Sequence, residues 1–105
     1  MPRLKKISKQ ESLELFNRVL ECIRTREKGF FYLKKLRGVH GYCEWDDGII
    51  LDYRKDFIPT IIHECIHFIE PDWSEAQVCY AEKRVVNALQ EQDIIDLLKI
   101  FIKKL

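Results

Sequence analysis

A chain of 105 residues has room for one domain with a single modest core, not for two lobes. Apolar residues make up 47% and charged residues 33%, the balance of a soluble globular protein, and a formal net charge of +1 gives no long-range pull toward nucleic acid or anionic lipid. No run approaches the ~20 apolar residues that cross a bilayer, and the N-terminus has no apolar signal core; we therefore expect a cytoplasmic protein, monomer or small homo-oligomer, without nucleic-acid or membrane partners.

In chain order, the basic stretch 2–9, PRLKKISK, reads as a solvated terminal segment. Ser8 and Glu11 have capping-box spacing, and Leu13, Phe16, Leu20 and Ile23 follow at helical intervals. A first amphipathic helix is predicted over about 9–27, stopped near Gly29. The β-prone runs 30–36, 39–45 and 48–53 come next, the last two joined at Asp46-Asp47-Gly48, a strong hairpin signal. Asp56 is placed to cap a helix starting near Phe57, with Pro59 tolerated in its first turn and Pro71 ending it by about Ile69. Ser74 and Gln77 repeat the capping-box pattern ahead of a third helix over about 75–90, and DIIDLLKIFIKKL completes the chain. The expected fold is α+β: an N-terminal backing helix, a small, mainly antiparallel three-stranded sheet and three further helices, all in one domain, 1–105.

The four cysteines, Cys22, Cys43, Cys65 and Cys79, form no CxxC pair. In a reducing compartment they are expected to pack as small hydrophobes.

The helix around residue 63 carries the chemistry. Phe57, Ile58, Ile61, Ile62, Cys65, Ile66, Phe68 and Ile69 make it largely core. Its polar residues, Thr60, His63, Glu64 and His67, fall at i, i+3, i+4 and i+7. That is one narrow stripe, where a solvated face would be broader and carry lysine. Two imidazoles one turn apart suit a shared ion. Zn²⁺ takes imidazole nitrogen at ~2.0–2.1 Å, and a catalytic site keeps three protein ligands and a water, whose pKa the ion brings toward about 7. Glu64, next to the first histidine, is turned away from the ion yet within reach of that water, as a general base. Among the downstream acids Glu70, Asp72, Glu75 and Glu82, the third ligand is ranked Glu75 first, for its place in the first turn of the next helix, then Glu82, then Asp72. A plain first-turn acid favoured by the helix dipole is the simpler reading of Glu75.

HECIH followed by PDWSEAQV resembles the gluzincin clan of zinc metallopeptidases. In length and element order the chain is most similar to the single-domain minigluzincins. The resemblance implies a minimal zincin-like fold, with His63, His67 and Glu75 as Zn²⁺ ligands and Glu64 as general base and acid. It implies a peptide or protein substrate paired to an edge strand, 39–45 or 48–53. Oxyanion donors would come from His40, Tyr42 or Tyr80, each more simply a packing or surface residue. It also implies a latent form in which the C-terminal segment LLKIFIKKL covers the cleft, although core packing is the simpler role for that segment. Two other classes remain open: a non-catalytic, zinc-stabilised interaction protein, and an interaction module without metal.

Overall fold

In the computed structural model, the described residues are 3–44, 48–54 and 56–105. The elements run α1 (Lys9–Thr25), β1 (Phe31–Leu33), β2 (Gly41–Glu44), β3 (Gly48–Leu51), α2 (Phe57–Ile69), α3 (Glu75–Ala88) and α4 (Glu91–Ile102). The class is α+β. Among the described residues, no helix is long and apolar enough to cross a membrane.

Local chemistry sets most of the boundaries. Ser8 Oγ accepts from the Glu11 amide while the Glu11 carboxylate accepts from the Ser8 amide, each at 3.0 Å. This capping box starts α1, whose Leu15, Phe16, Val19, Cys22 and Ile23 are buried. Ser74 accepts from the Gln77 amide at 3.1 Å, but the box there is only half made. The Gln77 side chain instead pairs with the Lys5 backbone, accepting at 2.7 Å and donating at 2.9 Å. Asp56 stands at the N-cap of α2 with φ +33° and makes no side-chain capping bond, so its expected capping role fails.

The sheet corrects the expectation of mainly antiparallel pairing. Its order is β1-β3-β2. β1 pairs with β3 in parallel, Phe31 opposite Ile49, and β2 pairs with β3 antiparallel, Gly41 opposite Leu51. The Asp46 and Asp47 part of the expected turn lies outside the described residues. β3 is central because all four of its residues are buried, as a strand covered on both faces requires. The connection 34–40 carries the chain past it, so β2 lands on the far side and β1 is left parallel.

Gly41 lets β2 approach α2 closely: a Cβ there would lie 2.9 Å from Thr60 Cγ2 and 2.8 Å from the Ile50 carbonyl oxygen. Asp52 closes the end of β3. Fully buried, it accepts from the Leu36 and Arg54 amides at 2.9 Å and from the Arg54 guanidinium at 2.7 and 3.0 Å. The guanidinium holds the Asp52 carboxyl far below the usual carboxylate range. The connection leading to residues 38–41 is thereby fastened to the core.

The C-terminal helix is a core element. Leu97 and Phe101 are buried, and the Phe101 ring meets Phe31 and Phe57 edge-on, with centroids at 5.1 and 5.5 Å.

Candidate metal centre

α2 buries Ile61, Ile62, Cys65 and Ile66 completely, which fixes the direction of its opposite face. That face, Thr60, His63, Glu64 and His67, forms one wall of a cavity of about 630 Å³. β2 contributes Gly41 and Cys43, the preceding connection Gly38, Val39 and His40, and the α2–α3 side Pro71, Glu75 and Glu82. No described residue of α4 is among the lining residues. The C-terminal segment therefore does not cover this cavity.

The two imidazoles lie edge to face, with centroids 4.9 Å apart. Glu75, in the first turn of α3, spans both: its Oε1 is 2.8 Å from His63 Nε2 and its Oε2 is 2.7 Å from His67 Nε2. Glu82, two turns further along α3, lies with Oε1 3.1 Å from His63 Nδ1. Each ring nitrogen of His63 thus faces a carboxylate acceptor; were an ion held on Nε2 in place of that contact with Glu75, the Nδ1–H would still be donated to Glu82. This is how an outer carboxylate fixes a ligand histidine. The candidates for third ligand are thus separated in space. Glu75 meets both Nε2 atoms, Glu82 backs one ring from behind, Asp72 is exposed, and Glu70 pairs with Arg18 at 2.7 Å.

Glu64 is 7% exposed, lines the cavity and has no hydrogen-bond partner among the described residues. Burial raises its pKa, against the opposing charges of His63 and His67. For Glu75, burial also pushes upward, but the His63 charge and the His67 hydrogen bond prevail and hold the carboxyl below its ordinary value.

These donors fit zinc. Two imidazole nitrogens and a carboxylate are a standard catalytic set, and each Nε2 lies within hydrogen-bond distance of one Glu75 oxygen. Among the described residues the donors mutually within 4.8 Å are His63, Glu75 and Cys79, with His67 outside that group. A cation in their midst would satisfy the same lone pairs. Donor type alone does not single out zinc, because imidazole with carboxylate also suits other divalent ions.

The packing assignment holds for Cys22, Cys65 and Cys43, which belong to or pack against the core, and not for Cys79. Cys22 and Cys65 are buried. Cys43 also lines the cavity, its pKa pushed up to about 11 by burial, then by the Glu64 charge and Cys22. Cys79 Sγ lies 3.6 Å from Glu75 Oε1. Its spacing one turn after Glu75 was the available signal. Of the oxyanion candidates, His40 reaches the cavity, and Tyr80 instead anchors the N-terminal segment, its hydroxyl 3.2 Å from the Ile7 amide. Side-chain placement for Tyr42 lies outside the described residues.

No protein-family model, curated protein or solved structure matches the chain.

Proposed function

We propose that this chain is a zinc-dependent peptidase of the gluzincin type, in a minimal zincin-like fold most similar to the minigluzincins. One observation carries the reading: a single carboxylate, Glu75, meets His63 Nε2 and His67 Nε2 at 2.8 and 2.7 Å, with the buried Glu64 on the same cavity. His63, His67 and Glu75 would hold the ion. Zinc bound there supplies Lewis acidity and makes water more acidic at neutral pH.

The remaining roles belong to the chain. Glu64 takes a proton from the attacking water and returns it to the leaving amine, a task suited to a carboxylate with a raised pKa. Glu82 holds His63 in the tautomer that presents Nε2. β2 is an edge strand with Gly41 and Cys43 on the cavity, so an extended peptide adds to it through main-chain hydrogen bonds. That choice replaces the open alternative between two strands, because β3 is the central one.

Glu64→Gln tests the catalytic part. The zinc-loaded variant is expected to bind zinc as the parent does and to lose about 10²–10⁴-fold of its turnover on a peptide library. Equal turnover in the two proteins would overturn the assignment. A second reading, a zinc-stabilised interaction protein without catalysis, is favoured by the thiol beside Glu75, because structural sites are closed by protein donors alone.

A further inference from the structure

We propose that Cys79 is a further protein donor to an ion held at His63 and Glu75 in the resting chain. The inference rests on the metal reading above and does not depend on catalysis. Glu75 Oε1 is the atom on which the donors meet: His63 Nε2 lies 2.8 Å from it and Cys79 Sγ 3.6 Å. Nitrogen, oxygen and sulfur donors of His63, Glu75 and Cys79 all lie within 4.8 Å of one another. Glu75 and Cys79 are i and i+4 on α3, so the helix itself holds the thiol on the carboxylate's face.

Glu64 lines the same cavity and is 7% exposed, and a cation held there would offset the cost of burying its charge. Imidazole nitrogen, carboxylate oxygen and thiolate sulfur are each zinc donors, and zinc takes four of them tetrahedrally. On binding, the Sγ–H bond is exchanged for a sulfur–metal bond and the proton leaves to solvent.

Cobalt(II) reports on the donor set directly, because a thiolate ligand adds a strong near-ultraviolet charge-transfer band. The full chain, titrated with cobalt(II) under reducing conditions, is expected to show that band at one equivalent. Cys79→Ala should still bind cobalt and lose the band, whereas Cys43→Ala, which removes the other thiol at the cavity, should keep it. Stoichiometric cobalt without the band overturns the proposal and leaves the metal reading standing. A band that survives in Cys79→Ala or vanishes in Cys43→Ala overturns it in the same way. No cobalt binding at all overturns it together with the metal reading.

Discussion

Helices α1 and α2 bury similar apolar stripes against one core, yet their polar faces differ in kind. On α1 outward residues pair along the helix, Gln10 with Glu14 at 3.2 Å and Arg24 with Glu21 at 2.6 Å, while Arg18 reaches Glu70 at the end of α2 at 2.7 Å. Exposed pairs along one helix are worth a few tenths of a kcal/mol, on the order of 0.2–0.5. On α2 the polar residues turn to a cavity, and their partners come from another helix: Glu75 for both histidines and Glu82 for His63. A face that only needs water is built from long charged side chains. The α2 face has no lysine or arginine, and its two histidines are held at fixed distances by α3.

The separation of the α2 faces can be broken from the core side. Ile66→Ala removes a fully buried side chain and is expected to lower unfolding free energy by about 2–5 kcal/mol in denaturant melts. A loss below about 1 kcal/mol would mean that this face is not the packed one. On the cavity side, Glu82→Ala is expected to weaken zinc binding about 10–100-fold by calorimetric titration. Unchanged affinity would remove Glu82 from its orienting role. On α1, Ser8→Ala deletes one arm of the capping box, with an expected cost of about 1 kcal/mol and no change in zinc affinity. A tenfold change in affinity would show that the two helices are not independent.

The pH dependence is tested at Asp52, whose pKa is depressed in the folded chain. A depressed carboxylate adds stability that is present above its unfolded value, about 3.9, and is lost as pH falls toward the folded value. Asp52→Asn should therefore fall short of the parent by the same amount at pH 7 and pH 5. The gap should narrow below about pH 4. A gap that instead widens on acidification would contradict the pairing with Arg54.

The helices were legible because their signals are local. Ser8 and Glu11, the stripe in 57–69 and Pro71 act within a few residues, and α2 was expected to cover the span it occupies, Phe57–Ile69. The parallel β1–β3 pair was not legible, because it depends on where the connection 34–40 carries the chain. Asp52 was missed, although an aspartate two residues before an arginine after an apolar strand is a turn signal. The polar stripe and Glu75 were legible as a candidate site from spacing alone. Rise along α3 at roughly 1.5 Å per residue puts Glu82 about 10 Å beyond Glu75 and does not reveal that it meets His63 from the other side. His63 lies one turn back on α2, and two turns forward on α3 come level with its other nitrogen. That correspondence exists only once the helices are packed, and the same is true of Cys79, which composition alone assigns to the core.

Anomalous diffraction at the zinc edge from crystals soaked in zinc addresses the convergence of these side chains most directly. One peak is expected, bonded to His63 Nε2, His67 Nε2 and a Glu75 oxygen. Density for the intact rings and carboxylate with no peak between them at saturating zinc would contradict the account.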